Sequence, residues 1–196
     1  MSKEKIYSAP SYTTKTMYCD HSIYLLGSIG EAEQYVDAFN ILRSAKAEDT
    51  VKIYINSGGG MYWTAVQFIN AIKQSDALVT TQIDGVAHSA ASIIFLAADS
   101  WIIPSTSSML CHYITSGYSG KMHEIDQWHT HTDAHFKQLT HDYYKAFMTE
   151  KEIEQMIDGK DFWFGGSEIK TRIQKLAKYR DKKIKEEQEK EKENQK

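Results

Sequence analysis

The chain has 196 residues, 41% of them apolar and 25% charged, and its formal net charge is −3 at pH 7. That length suits one compact domain, or one domain with an appendage, and the apolar share is enough for a buried core. A nearly neutral chain is not built to coat nucleic acid or an anionic membrane. Two cysteines, Cys19 and Cys111, cannot form a disulfide framework, which favours a reducing, cytoplasmic setting.

Polar residues dominate the start of the chain, and 1–20 are expected to form an irregular N-terminal arm. Beyond it, apolar runs predict strands over 21–27, 51–55, 78–83, 100–103 and 108–113. Apolar residues at helical spacing predict helices over 31–47, 62–73 and 89–98. The most apolar run, 90–98, is too short to span a bilayer, which needs roughly 20 residues. Strands that alternate with helices predict an α/β domain with crossover connections.

The second half of the chain predicts helices and a charged end. One long helical region is expected over 120–157, followed by an aromatic segment over 161–164 and a last helix from near Ser167. From Asp181 onward twelve of sixteen residues are charged, which predicts a solvated helix or a disordered tail. The expected organisation is therefore an arm over 1–20, a domain over 21–179 and a charged tail over 180–196.

A glycine run over 56–60 follows the second predicted strand. Glycines at such a place let the backbone approach a ligand and aim N–H groups at it. A phosphate cradle, an oxyanion hole and a plain tight turn all fit, although no Lys-Ser/Thr pair follows as a P-loop requires.

Ser89 lies between small residues where the third strand gives way to an apolar helix. A hydroxyl there is either a helix N-cap or a nucleophile at a helix N-terminus that favours developing negative charge. His112, near the end of the strand over 108–113, is either a structural histidine or a base.

Together these segments resemble the ATP-dependent Clp protease proteolytic subunit (ClpP), a family of serine peptidases. The family's Asn-Ser-Pro-Gly-Gly signature resembles 56–60, with Gly58 in the place of proline. Its Gly-x-Ala-x-Ser nucleophile segment resembles 85–89, and its histidine segment resembles 103–112. Its acid lies past a long helix, where this chain has Asp161 within 159–164. The resemblance covers about 21–170.

The resemblance implies that Ser89 is the nucleophile, His112 the general base and Asp161 the orienting acid. A second acid, Asp158, lies three residues before Asp161 and competes with it for that role.

It further implies an oxyanion hole made by the backbone N–H groups of Gly60 and Ala90. An extended substrate would add to the strand beside Gly58 and Gly59. His88, beside the nucleophile, stands where the family has a small residue and is expected to perturb the site.

The implied fold is an α/β ClpP/crotonase-like fold of stacked ββα units with a long handle helix over about 120–157. The implied function is that of a serine endopeptidase that cleaves unfolded proteins or peptides inside a chamber. That chamber is formed by homo-oligomeric rings, as a heptamer or a tetradecamer. An AAA+ unfoldase is an implied partner, and ATP use belongs to that partner because this chain carries no ATPase motif. No cofactor, metal, nucleic acid or membrane is expected.

Three alternatives stay open. They are an inactive ClpP-like scaffold, a crotonase-fold acyl-CoA enzyme and a viral capsid-maturation protease. Crotonases normally place glutamates at the site, so the order serine, histidine, aspartate favours a peptidase.

A histidine cluster lies within the predicted handle helix. His131 and His135 are four residues apart, and His129 is close by. Zinc ligation needs three or four convergent groups, so a polar helix face is the favoured interpretation. In the ClpP fold the handle helix belongs to the contact that joins two rings. Because histidine changes charge near pH 6.5, histidines on this helix would make assembly pH-sensitive. Sedimentation at pH 5.5 and 7.5, about one unit either side of that pKa, tests this, and identical profiles would contradict it.

Overall fold

The computed structural model describes residues 18–115 and 117–194. Of the predicted arm, only 18–20 lie within this part, and Asp20 already begins the first strand. The strands β1 (Asp20–Ile29), β2 (Thr50–Gly60) and β3 (Leu78–His88) pair in parallel. In β2 the buried residues alternate with more exposed ones, as expected for a strand whose two faces differ in environment.

The glycine run ends β2 rather than forming a turn after it. The predicted strand over 51–55 continues to Gly60, and its register shifts against both neighbouring strands within the added residues. Such irregularities bend a strand end and re-aim its backbone groups. Gly58 is exposed and has open space around it.

Helices cover the sheet as the apolar spacing predicts. A short 3₁₀ turn (Ala32–Tyr35) leads into α1 (Val36–Ser44), followed later by α2 (Tyr62–Lys73) and α3 (Ala90–Ala97). Phe39 of α1 and Phe68 of α2 meet edge to face, with ring centroids 4.8 Å apart. The first seven residues of α3 are all buried, so this helix runs through the core with the nucleophile candidate at its N-terminus.

Three short strands complete the sheet: β4 (Ser100–Ile102), β5 (Ser108–Cys111) and β6 (Phe162–Gly165). The long strand β3 pairs with β4 along its first half and with β5 at its end. β6 is antiparallel to β5, and the main strand order is β1-β2-β3-β5-β6. The ends of β2, β3 and β5 therefore lie at one edge of the sheet.

The long helical region over 120–157 is two helices, α4 (Met122–Tyr144) and α5 (Glu150–Ile157). Between them Ala146 has a φ of 68°, which no α-helix allows. Thr149 caps α5, and its backbone N–H and hydroxyl both bond to Glu152. This Thr-x-x-Glu capping box marks a helix start in the sequence, and it corrects the expectation of one continuous helix.

The last helix, α6 (Gly166–Asn194), runs on through the charged segment. Arg172, in the first part of α6, donates charge-assisted hydrogen bonds at 2.7 and 3.0 Å to Glu152 and so connects α6 to α5. These bonds hold the pKa of Glu152 down, to about 2. No helix within the described residues is long and apolar enough to cross a membrane.

Arg180 packs against the domain, although the charged composition of 180–196 predicts that it belongs to the tail. Its guanidinium donates to the carbonyl oxygens of Ala98 and Leu96 at 2.7 and 2.6 Å, and it lies 5.2 Å from the centre of the Trp101 ring. Burial lowers the pKa of Arg180. A cation at the C-terminal end of α3 satisfies carbonyl groups that have no partner within the helix.

We expect Arg180→Ala to lower the free energy of unfolding by about 2 kcal/mol, because two charge-assisted hydrogen bonds are lost. Chemical denaturation measures the change. Lys182→Ala is the matched control, since its ion pair with Glu186 is exposed and surface pairs contribute about 0–1 kcal/mol. Equal effects of the two substitutions would show that Arg180 does not anchor α6.

Candidate active site

The most strained residue of the site is Ser89, between β3 and α3. Its φ and ψ are 55° and −127°, and a residue with a side chain in such a sparsely populated region costs about 1–3 kcal/mol. The Ser89 N–H donates to the carbonyl oxygen of Leu110 at 2.9 Å, so β5 holds this backbone on one side. The Ser89 side chain makes no hydrogen bond to α3. Ser89 thus occupies the N-cap position without acting as a cap.

His112 follows β5 directly and faces the serine. Its Nε2 lies 2.6 Å from the Ser89 Oγ, and both residues are half-buried. The hydroxyl donates to Nε2 when the ring is neutral and carries its proton on Nδ1. A serine hydroxyl is a weak nucleophile until such a base takes its proton. The pair therefore has the geometry of an activated nucleophile.

Asp161 lies near His112 along the backbone but is not bonded to it. Cys111 pairs with Phe162 in the β5–β6 ladder, so His112 and Asp161 are the next residues beyond the last pair. The Asp161 side chain is exposed. Among the described residues, the His112 ring forms a hydrogen bond only with Ser89. The competing acid, Asp158, is the C-cap residue of α5 and is also exposed.

Two glycines at the end of β2 pack closely against Ser89 and its neighbours. Gly59 has a φ of +93°, and a Cβ on it would lie 2.6 Å from the Ser89 Cβ and 2.7 Å from the His88 oxygen. Gly60 has a φ of +146°, and a Cβ there would clash with the carbonyl oxygen of Ile29. Only glycine fits at either position, because the backbone conformation and the contacts both exclude a side chain.

A cleft of about 530 Å³ opens in front of this pair. Ser89, His112, Gly60 and Ala90 all line it, so the structure brings together four of the predicted site residues. The rest of the wall is mostly apolar and aromatic and comes largely from α2, α3 and α4, with the side chains of Tyr62, Trp63, Ile93, Trp128, Phe136 and Tyr143. An apolar cleft with a few convergent polar groups is the usual form of a substrate site.

The His88 side chain contacts residues of β5 and β6 rather than Ser89. Its Nε2 lies 3.2 Å from the Ser108 Oγ, and its ring meets Trp163 edge to face at 5.1 Å. Burial lowers the pKa of His88. The expectation that His88 perturbs the serine directly thus has no supporting contact within the described residues.

The histidine cluster lies on α4, and none of its three histidines lines the cleft with Ser89 and His112. His131 and His135 stack with ring centroids 6.1 Å apart, and His135 also stacks on Trp63 at 5.9 Å. Within 18–115 and 117–194, no group of three or more His, Cys, Asp or Glu side chains is placed to hold a metal ion.

Two polar residues that the sequence reasoning missed lie behind the serine. Ser92 and Tyr144 are buried, and their hydroxyl oxygens are 2.7 Å apart. Ser92 had a detectable signal, because it is a lone hydroxyl in the otherwise apolar helix α3. Tyr144 had none, since its contact with Ser92 spans 52 positions of the chain.

A model of the Clp protease family matches residues 8–172. The chain belongs to the Clp protease family. None of the curated proteins compared with the sequence matches it.

Membership in the Clp protease family confirms the resemblance drawn from the glycine, serine, histidine and aspartate segments. It also confirms the ClpP-like α/β fold. The Clp protease family is a family of peptidases that generally form oligomeric rings with unfoldases.

We expect Gly59→Ala to abolish the geometry of the site, because the added Cβ meets the Ser89 side chain and the backbone cannot relax at a φ of +93°. Labelling by a fluorophosphonate probe should slow about 100-fold or more, the effect of losing one oxyanion donor.

Gly165→Ala is the control for Gly59→Ala, since Gly165 lies in β6 with open space around it. Labelling of Gly59→Ala at the rate of Gly165→Ala would contradict the close packing described above.

Proposed function

We propose that the chain is a serine endopeptidase that cleaves unfolded proteins or peptides. The observation that carries the proposal is the 2.6 Å contact between His112 Nε2 and Ser89 Oγ, made at the N-terminus of a buried helix inside an apolar cleft. Membership in the Clp protease family supports peptidase chemistry at this place.

In the proposed reaction, Ser89 Oγ attacks the carbonyl carbon of the scissile peptide bond while His112 Nε2 takes the hydroxyl proton. The tetrahedral intermediate collapses when His112 returns that proton to the leaving amine, and an acyl ester remains on Ser89. A water molecule, deprotonated by His112, then hydrolyses the ester and restores the serine.

The backbone N–H groups of Ala90 and Gly60 are the proposed oxyanion donors. Ala90 is the first residue of α3, so its N–H has no partner within the helix and lies at the positive end of the helix dipole. Both residues line the cleft with the nucleophile. Each such donor typically contributes about 100- to 1,000-fold in rate.

Asp161 is the proposed orienting acid. A base that accepts a proton at Nε2 needs a partner at Nδ1 to hold the correct tautomer. Asp161 directly precedes β6, next to the last β5–β6 pair, and its side chain is exposed and free to turn. In the active form its carboxylate turns toward His112 Nδ1.

The end of β2 is the proposed binding strand for the substrate backbone. Gly58 and Gly59 let an extended peptide approach closely, and such a peptide adds to a strand through main-chain hydrogen bonds. Gly58 is exposed with open space around it, which suits a peptide laid along it, whereas Gly59 is buried against the serine. The apolar cleft then receives a side chain of the substrate.

We further propose that the chain assembles into homo-oligomeric rings, as a heptamer or a tetradecamer, and works with an AAA+ unfoldase. Membership in the Clp protease family supports both proposals. Two free thiols, Cys19 exposed and Cys111 buried, suit a reducing compartment such as the cytoplasm.

We expect a fluorophosphonate probe to label the wild-type chain and not Ser89→Ala, with size-exclusion chromatography showing whether the labelled species is a ring. His112→Ala should lower the labelling rate about 10⁴-fold, because triad members act as a unit. An unlabelled wild type in every assembly state would refute the peptidase and favour the inactive scaffold.

Paired variants of the two acids test the third member of the triad. Asp161→Asn should lower kcat while leaving KM unchanged, whereas Asp158→Asn should match the wild type. The reverse result would move the orienting role to Asp158.

A further inference from the structure

A row of hydrogen bonds leads from α4 to the backbone of the nucleophile. The Tyr144 Oη lies 2.7 Å from the Ser92 Oγ, which in turn lies 2.7 Å from the Ser89 carbonyl oxygen. The same oxygen also accepts from the Ser92 N–H at 2.9 Å. Ser92 and Tyr144 are 0% and 4% exposed, so water does not compete for these bonds.

Donors and acceptors in this row can be assigned from counting protons. A carbonyl oxygen only accepts, so the single hydroxyl proton of Ser92 is used on Ser89. The Ser92 Oγ must then accept from Tyr144, which therefore donates. Burial raises the pKa of Tyr144 well above its usual range, so the phenol keeps this proton throughout the neutral pH range. Hydrogen bonds in such a row polarise and strengthen one another.

The bonded carbonyl belongs to the same peptide unit as the N–H of Ala90. A trans peptide is planar, and its C=O and N–H point in opposite directions. When Ser92 draws the Ser89 oxygen toward the core, the Ala90 N–H must point the other way, toward the cleft that Ala90 lines. The direction of this N–H is thus set by the bonds on the far side of the peptide.

This control matters because Ser89 has an unfavourable backbone. With φ 55° and ψ −127°, the peptide would lower its energy by rotating if nothing held its oxygen. On the other side, the Ser89 N–H is already fixed by Leu110, so rotation about ψ, which turns the Ser89–Ala90 peptide, is the motion left to restrain.

We infer that Ser92 and Tyr144 are positioning residues for the oxyanion hole, which hold the Ser89–Ala90 peptide so that the Ala90 N–H faces the reacting carbonyl. The inference rests on the proposed peptidase function. It also connects α4, which forms one wall of the cleft, to the reacting groups through the last residue of that helix.

The test is kinetic, with a fluorogenic peptide substrate and the fluorophosphonate probe. Ser92→Ala should lower kcat about 10- to 100-fold with KM unchanged, less than outright loss of an oxyanion donor. Tyr144→Phe should lower kcat about 3- to 10-fold, the size of one hydrogen bond. Because Tyr144 acts through Ser92, the double variant should be no slower than Ser92→Ala alone. Ser92→Thr, which keeps the hydroxyl, should recover activity.

Thr81→Val is the matched structural control. Its hydroxyl is buried and donates to the carbonyl oxygen of Phe95 at 3.0 Å, a similar bond at the other end of the same helix. We expect Thr81→Val and Ser92→Ala to lower the Tm by similar amounts, about 3 °C, while only the latter lowers kcat.

Each outcome has a defined meaning. An unlabelled wild type overturns the peptidase proposal and this inference together. A labelled wild type overturns the inference alone if Ser92→Ala is as fast as wild type, if the effects of Ser92→Ala and Tyr144→Phe multiply independently, or if Thr81→Val lowers kcat equally.

Discussion

The conformation of Ser89 is the constraint on which the rest of the site depends. Ser89, at the junction of β3 and α3, lines the cleft with its backbone held at a φ of 55°. That strain persists when its surroundings determine it from several sides. Leu110 of β5 binds the N–H, Ser92 binds the carbonyl oxygen, and Gly59 packs against the Cβ. Three different elements thus fix one residue.

The direction of the strands explains why these elements meet. Parallel strands end at the same edge of a sheet, so the glycines of β2, the serine after β3 and the histidine after β5 come together there. β6 is antiparallel to β5, so its start rather than its end lies at that edge. Asp161, which directly precedes β6, therefore lies next to His112 along the backbone of the two strands. One sheet topology accounts for the order glycine, serine, histidine and aspartate along the chain.

Local patterns predicted the strands and the buried helix α3, because these depend on residues close in sequence. The pairing of Ser89 with His112 was predicted by the resemblance to the ClpP family. Local patterns did not predict the break between α4 and α5 or the contacts of Arg180 with residues distant in sequence. The break at Ala146 was marked by the capping box at Thr149, yet apolar spacing alone continued through it. Arg180 was grouped with the tail because its charge matches its neighbours, whereas its carbonyl partners lie more than 80 positions away.

Ser92 shows how a polar residue in an apolar helix is justified by what it binds. An alanine there would suit the helix better and would bury no hydroxyl. The hydroxyl is tolerated because it has both an acceptor in Ser89 and a donor in Tyr144. Nearby, the buried Tyr62 hydroxyl has no partner among the described residues, so full pairing is not general in this region. The satisfied row of hydroxyls is found where the strained peptide is held, which ties the polarity of the core to the geometry of Ser89.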